Sequence, residues 1–237
     1  MRRSDSLKLF GILLGVVVLT AAGWRLHKSR SVQLFGELVT HVETSDLVVA
    51  LTFDDGPALP YTDSVLELLN REGVRATFFV VGRGLEQHPE LGRRILVEGH
   101  ELGNHSFSHR TMVFMTPATV RREVERTDSL IRAAGGQGRI PFRPPYGKRL
   151  VILPWYLSRT DRTTVLWTLE PDTWHRAADA MVSHVLENAR PGAIILLHVE
   201  LQARNQERVA LEGIIAGLRQ QGYDFVTVSE LMSRAAP

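Results

Sequence analysis

Residues 47–57 read Leu-Val-Val-Ala-Leu-Thr-Phe-Asp-Asp-Gly-Pro, and they give the clearest indication of the fold class. Residues 47–53 are continuously apolar apart from Thr52, which is typical of a strand that is covered on both faces of a sheet. Asp54 and Asp55 follow at once, and the Gly-Pro pair after them predicts a turn. The stretch therefore predicts a buried strand of a parallel sheet that ends in two carboxylates.

Short apolar runs alternate with helical patterns through the rest of the chain. Further strands are predicted at 76–81, up to residue 104, and at 164–169, 193–199 and 225–228; helices are predicted at 89–98, 117–134, 177–190 and 205–220. Repeated β–α alternation predicts an α/β fold, either a parallel barrel or a doubly wound sheet. Both folds place their chemistry at the carboxyl ends of the strands, so the site is expected there.

The N-terminal residues 9–24 form an almost unbroken apolar run behind a basic start, as in an export signal. The run is short for a membrane span, which needs about 20 residues. Small residues at 20–22 favour cleavage, whereas three basic residues within 25–30 favour retention as a membrane tether. Residues 1–30 are therefore predicted to be a signal peptide or an N-terminal membrane tether, and residues 31–46 a linker.

Composition excludes several classes of protein. The chain has 237 residues, 44% of them hydrophobic, which is enough for one domain with a real core. It has no cysteine, so disulfides, thiolate metal sites and a cysteine nucleophile are excluded. Residues 1–30 carry six basic side chains and one acidic one, and the body that follows has no basic excess. No nucleic-acid partner is expected.

His105 and His109 follow the strand that is predicted to end near residue 104. Two imidazoles at this spacing can converge on one ion, and zinc accepts imidazole nitrogens with a carboxylate as third ligand. Either Asp54 or Asp55 could supply that carboxylate, which would leave the other one free as a base. Taken alone, the Asp54-Asp55 pair would be interpreted as part of a polar turn, and the two histidines could be ordinary surface residues.

Three other segments carry polar groups at predicted strand ends. Arg143 stands before two prolines that stiffen its segment, and an arginine fork can orient a carboxylate. Glu170 and Asp172 precede Trp174, and His198 closes a buried strand. Each could have a purely structural role. Taken together, the strand ends carry the groups that a composite metal-hydrolase site needs.

The motifs at these strand ends, in combination, resemble those of the polysaccharide deacetylase family, also called the NodB-homology domain or carbohydrate esterase family four. They are TFDDGP at 52–57, HSFSH at 105–109, RPPYG at 143–147 and LLH at 196–198. The resemblance covers about residues 47–235. It implies a single-domain distorted (β/α) barrel of about seven parallel strands over 47–237, preceded by the N-terminal hydrophobic segment.

The resemblance implies removal of N-acetyl groups from an amino-sugar polymer or oligomer, such as peptidoglycan or a chitin-like glycan, with release of acetate. Asp55, His105 and His109 would bind one divalent ion, zinc by default, with cobalt, manganese or nickel as alternatives. The ion would polarise the acetamide carbonyl and lower the pKa of its bound water. Asp54 would be the general base and Arg143 would orient it.

The remaining roles follow from the same resemblance. His198 would be the general acid that protonates the departing amine, and the backbone N–H of Tyr146 would stabilise the oxyanion. Leu196 and Trp174 would line the pocket for the acetyl methyl group. Many family members have an aspartate immediately before the tryptophan, where this chain has Thr173. Glu170 and Asp172 both remain candidates to support His198.

Two alternatives stay open at this point. The same groups could hydrolyse O-acetyl esters or small amides. The chain could also be a non-catalytic glycan-binding envelope protein, although Asp54, both metal-binding histidines and His198 are all present. An export segment predicts a periplasmic or extracellular location, with a tether to the inner membrane through residues 9–24 if they are not cleaved. The expected partner is an N-acetylated glycan, and the membrane if the segment is retained.

Overall fold

The computed structural model describes residues 29–235 and, within the N-terminal segment, residues 11, 13, 15, 17, 20, 23–25 and 27. Much of the apolar run 9–24 lies outside these residues, so its assignment as signal or tether stays a prediction. Within the described part of the chain, no helix combines the length and the apolar character that crossing a membrane requires.

The described residues form seven strands, and every pairing between them is parallel. The strands are β1 Leu38–Val39, β2 Val48–Asp54, β3 Thr77–Val80, β4 Glu101–Asn104, β5 Thr164–Val165, β6 Ile194–Leu197 and β7 Asp224–Phe225. The main ladder has the order β4-β3-β2-β6, with β7 on β2, and β1 pairs with β5. Single parallel bridges, Asn104–Phe142, Phe142–Thr164 and Leu169–Ile195, continue this pairing, as in a distorted barrel.

Helices follow most of the strands and pack outside them, as the alternation predicts. They are α1 Tyr61–Glu72, α2 Gly82–Gln87, α3 Pro89–Val97, α4 Pro117–Ala134, α5 Ile152–Arg159, α6 Pro171–Trp174, α7 Ala178–Asn188, α8 Asn205–Gln220 and α9 Val228–Ser233. The predicted bounds of α4 are confirmed. Thr116 Oγ1 accepts the Thr119 N–H at 3.2 Å, and Gly135 ends the helix in the left-handed conformation.

Strand β2 is buried along its whole length and lies between two apolar layers. Val49, Leu51 and Phe53 belong to one core cluster, and the alternate residues Val48 and Ala50 belong to another. This alternation follows from the two-residue repeat of a strand. Because both faces are covered, the strand is apolar throughout and Asp54 is held at its buried carboxyl end.

Three segments differ from the predictions. The predicted linker 31–46 contains β1 and a buried Val42, so residues before 47 belong to the folded body. The predicted strand 164–169 stops at residue 165, because the backbone hydrogen bonds then change partner. The Leu166 N–H still donates to Val39 of β1, whereas the Thr168 N–H donates to Ile194 of β6. The predicted strand 225–228 stops early because Thr227 and Glu230 form a capping box that starts α9.

Candidate active site

One pocket of about 520 Å³ opens at the carboxyl ends of β2, β4 and β6. The predicted site residues that line it are Asp54, Asp55, His105, His109, Tyr146, Glu170, Leu196 and His198. Residues that the sequence did not indicate also line it, among them His27, Arg30, Lys148, Trp167 and Arg204. The structure therefore brings the separate motifs to one place.

Asp55, His105 and His109 direct three potential ligand atoms to one point. Asp55 Oδ1 lies 3.0 Å from His109 Nε2 and 3.7 Å from His105 Nε2. This oxygen is buried, and neither nitrogen meets it in hydrogen-bond geometry. Burial would raise the pKa of Asp55, but its interactions with the two histidines lower it to about 2. A carboxylate and two imidazoles that face a common point fit a divalent cation such as zinc.

The tautomer of His105 also suits a metal ligand. Its Nδ1 lies 2.8 Å from the carbonyl oxygen of Arg143, which can only accept, so Nδ1 carries the proton and Nε2 keeps a lone pair. The ring is completely buried, and burial lowers its pKa. A neutral imidazole with a free Nε2 is the form that binds a metal.

The loop between the two histidines is held by residues whose role the sequence did not indicate. Ser106 and His109 have positive φ angles of 65° and 54°, which non-glycine residues rarely adopt. Asn104 Oδ1 accepts the Ser106 N–H at 2.8 Å, and Glu123 accepts the N–H groups of residues 107 and 108. Glu123 was detectable as an acid on the apolar face of predicted helix 117–134.

Asp54 and Arg143 form a buried ion pair beside the potential metal ligands. Arg143 Nη1 donates to Asp54 Oδ1 at 2.7 Å and to Thr52 Oγ1 at 2.9 Å. Its Nη2 donates to the carbonyl of Leu166 at 3.0 Å, and the guanidinium lies over the ring of Phe79 at 3.9 Å. The arginine is thus fixed on all sides. It holds Asp54 Oδ1, while Asp54 Oδ2 lies 3.5 Å from His105 Nε2.

His198 has a single acidic partner of the two that the sequence left open. Asp172 Oδ2 lies 2.8 Å from His198 Nδ1 and also accepts the His198 backbone N–H at 2.9 Å. Burial would lower the pKa of His198, but the bond to Asp172 raises it to about 9. Glu170 instead accepts from Trp167 Nε1 at 3.0 Å and from Arg30 at 2.9 Å.

The three predicted substrate-binding residues have different positions. Leu196 is buried in the pocket wall. Tyr146 has a positive φ of 60°, and its ring packs edge-on against His109 at 4.8 Å. Trp174 is 69% exposed at the end of α6 and is not among the residues that line the pocket. Trp167 lines the pocket instead.

Glu200 is a further acid close to the site that the sequence did not single out. It is fully buried, and Thr62 Oγ1 donates to its Oε1 at 2.5 Å. Thr62 in turn accepts the Ala58 N–H at 2.9 Å, which ties down the turn after Asp55. Burial raises the pKa of Glu200 to about 8, so it is protonated at neutral pH. In the sequence, only its position two residues after His198 could have indicated that Glu200 lies near the site.

Comparison with known proteins identifies the family. A family model described as polysaccharide deacetylase matches residues 41–165, just over half of the chain. The chain belongs to the polysaccharide deacetylase family. The predicted family is confirmed, and with it the predicted class of enzyme, a hydrolase of carbon–nitrogen bonds.

Relatives in this family include enzymes of two named kinds. The chain is 34% identical over 200 residues to a peptidoglycan-N-acetylglucosamine deacetylase of Bacillus cereus, covering 83% of this chain and 93% of that protein. It is 36% identical over 197 residues to a chitooligosaccharide deacetylase of a Bradyrhizobium species, covering 77% and 90%.

Solved structures of polysaccharide deacetylases have the same fold. The Bc1960 peptidoglycan N-acetylglucosamine deacetylase superposes with a TM-score of 0.79 at 30% identity, covering 84% of this chain and 95% of that one. A family pseudoenzyme from Bacillus anthracis superposes with a TM-score of 0.76 at 26% identity, covering 86% and 72%. Because the fold also carries a pseudoenzyme, the function of this member has to be argued from its own site residues.

Proposed function

We propose that this polysaccharide deacetylase is a metal-dependent enzyme that removes N-acetyl groups from an amino-sugar polymer outside the cytoplasm. One observation carries the proposal. The convergence of Asp55, His105 and His109 lies in the same pocket as the Asp54 carboxylate and the His198 imidazole. A metal-assisted hydrolysis needs these three functions, an ion site, a base and an acid, within reach of one bond.

Asp55, His105 and His109 would hold the ion, with zinc the first candidate and cobalt, manganese or nickel the alternatives. A divalent ion there would supply Lewis-acid polarisation of the acetamide carbonyl and a lower pKa for water at the site. The neutral imidazole of His105 and the ionised carboxylate of Asp55 are already in their ligating forms.

Asp54 would take the proton of the attacking water as the water oxygen adds to the acetyl carbonyl carbon. Arg143 Nη1 lies 2.7 Å from Asp54 Oδ1 and fixes the orientation of this carboxylate. The carbonyl oxygen gains negative charge in this step, and the backbone N–H of Tyr146 would stabilise it. Leu196 would form part of the wall that receives the acetyl methyl group.

His198 would then give its Nε2 proton to the amine nitrogen as the carbon–nitrogen bond breaks, so that acetate and a free amine leave. Asp172 supports this role because it holds Nδ1 at 2.8 Å and raises the pKa of His198 to about 9. The histidine therefore carries the required proton at neutral pH.

The substrate is proposed to be a peptidoglycan or chitin-like glycan, because relatives with 34% and 36% identity are named for those activities. Such polymers lie outside the cytoplasm, which agrees with the predicted export segment at residues 9–24. A periplasmic or extracellular location, with or without a membrane tether, is part of the proposal.

The test is acetate release from N-acetylated chitooligosaccharides and peptidoglycan fragments by the full-length chain. Release should stop with EDTA and return with added zinc. Asp54→Asn should lower turnover by about 10²–10⁴-fold, because the base is lost. The same variant should still bind zinc through Asp55 and the two histidines.

Asp161→Asn is the matched control, since Asp161 is an exposed surface acid that pairs with Arg139. It should behave as the parent protein. Full activity of Asp54→Asn, or release that EDTA leaves unchanged, would contradict the proposed mechanism. No release from any substrate by folded, zinc-loaded protein would favour the non-catalytic alternative.

A further inference from the structure

The segment that precedes β1 is fixed against the pocket by a buried arginine. The Arg149 side chain donates to Gln33 Oε1 at 3.0 Å, to the Val32 carbonyl at 3.2 Å and to the Gly147 carbonyl at 2.9 Å. Gly147 follows Tyr146, so the same guanidinium joins the N-terminal segment to a loop of the active site. This segment lies before residue 41, where the family match begins.

The same segment brings Arg30 to the pocket wall. Arg30 Nη2 donates to Glu170 Oε2 at 2.9 Å, and the guanidinium lies over the ring of Trp167 at 5.0 Å. Trp167 Nε1 donates to the same carboxylate oxygen at 3.0 Å, so Glu170 is itself held in place. The Arg30 side chain remains 49% exposed. Because a guanidinium has five N–H donors, this fixed arginine still presents donors to the pocket.

Arg30 and Lys148 both bring positive charge to the pocket, and Arg30 is already paired with Glu170. Lys148 also lines the pocket, and among residues 29–235 it has no acidic partner. Arg204 is paired with Glu207 at 2.8 Å. The pocket acids are already engaged, Asp54 by Arg143, Glu170 by Arg30, and Asp55 at the ion site. A negatively charged substrate group would therefore meet the ammonium group of Lys148 and the Arg30 N–H groups that Glu170 does not occupy.

We propose that Arg30 and Lys148 form a subsite for a carboxylate on the glycan, so that a carboxylate-bearing amino-sugar polymer is preferred to a neutral one. The inference rests on the proposed deacetylase function and adds the substrate class. A planar guanidinium held by stacking is suited to a carboxylate, which it can bind through two parallel N–H bonds. Lys148 adds a second positive charge to the same pocket.

The test compares three N-acetylated oligosaccharides of equal length. The first is neutral chitotetraose, the second carries lactyl carboxylates on alternate sugars, and the third is the second with those carboxylates converted to amides. Values of kcat and KM are measured for the parent, Arg30→Gln and Lys148→Gln. Arg126→Gln is the matched control, because Arg126 is 50% exposed and also paired with one glutamate, but lies outside the pocket.

Arg30→Gln should raise KM for the carboxylated substrate about tenfold more than for the neutral and amidated ones, since a charge-assisted hydrogen bond is lost. Lys148→Gln should show the same preference with a smaller ratio. Arg126→Gln should match the parent on all three. Equal losses on all three substrates in Arg30→Gln, or a parent enzyme that does not distinguish carboxylate from amide, would overturn the subsite.

Calorimetric binding of the carboxylated and amidated oligosaccharides separates this inference from the proposed function. If the parent releases no acetate, a weaker binding of the carboxylated ligand to Arg30→Gln still supports the subsite, while the deacetylase proposal fails. If acetate is released but the two ligands bind equally to the parent, the proposed deacetylase function is retained and the proposed carboxylate subsite is rejected.

Discussion

Asp172 and Glu200 are two buried carboxyl groups near the end of β6, and they differ in their partners. Asp172 Oδ2 accepts both the backbone N–H and the ring of His198. Glu200 has a hydroxyl, Thr62 Oγ1, and no cation. Burial without a positive partner raises the pKa of Glu200 to about 8. Burial without a charged partner therefore keeps Glu200 protonated, whereas Asp172 is bonded to an imidazole and raises the pKa of that imidazole.

The protonated state of Glu200 also suits the residues around it. Asp54 and Asp55 lie close enough to Glu200 to raise its pKa further, so an ionised Glu200 would add a third negative charge to that region. As a neutral acid it can pack against Gly56, where an added Cβ would lie 2.1 Å from Glu200 Oε2. Glu200 thus supports the turn after Asp55 without competing for a cation.

The largest effect is expected at Asp172, the member of the comparison that is bonded to His198. Asp172→Asn removes the carboxylate that holds the proton on His198, and kcat should fall by about 10²–10³-fold. The pKa of His198, raised to about 9 in the parent, should decrease, so the alkaline limb of the kcat profile should move to lower pH. The measurement is kcat for acetate release from pH 5 to 10.

Glu170→Gln serves as the control for that variant. Glu170 lies two residues before Asp172 and lines the pocket, but its partners are Arg30 and Trp167. It should leave the position of the alkaline limb unchanged. If Glu170→Gln moved the limb and Asp172→Asn did not, the assignment of the supporting acid would be reversed.

Local sequence signals predicted the elements whose structure depends on local interactions. The apolar run of β2 and the bounds of α4 were predicted correctly, because the signals for them lie in or directly beside the elements themselves. Strand β1 was not predicted, because its two residues are a strand only through pairing with β5, more than a hundred residues later. The early end of β7 was missed for a different reason, since the capping box at Thr227 was not recognised.

The site residues also divide into those that local sequence signals predict and those that depend on the tertiary fold. Asp55, His105 and His109 could be predicted because each lies within a dense motif at a strand end. Asp172 could not be separated from Glu170, because the short helix α6 begins between them and decides which acid meets His198. Arg30 could not be predicted either, since only the tertiary fold brings the segment before β1 to the pocket.

A smaller effect, on stability rather than turnover, is expected at the neutral member of the comparison. The pKa of Glu200 is raised in the folded protein, so the folded chain keeps a proton that the unfolded chain releases. Its contribution to stability is full below the ordinary glutamate pKa and is lost progressively up to about pH 8. Glu200→Gln cannot ionise, so the parent should lose about 1.4 kcal/mol per pH unit relative to the variant in this range.

Urea unfolding of the parent and Glu200→Gln at pH 5.5, 6.5 and 7.5 measures that difference. Other titrating groups contribute equally to both proteins and cancel in the comparison. Parallel stability curves for the two proteins would mean that Glu200 is ionised in the fold, and the contrast with Asp172 would then fail.

The smallest effect is expected at Thr62, which is the only hydrogen-bond partner of Glu200 among the described side chains. Thr62→Val keeps the shape but removes the hydroxyl, which leaves the Ala58 N–H and the Glu200 carboxyl without a partner. The free energy of unfolding should fall by about 1–2 kcal/mol. Thr62→Ser retains the hydroxyl and should recover most of the loss.

The pH dependence of stability separates the effect of this hydrogen bond from that of packing, because the hydrogen bond from Thr62 lowers the pKa of Glu200 and its removal should raise that pKa. Thr62→Val should therefore extend the pH-dependent loss of stability to higher pH than in the parent, and an unchanged pH range would show that the hydroxyl acts only on the turn at Ala58.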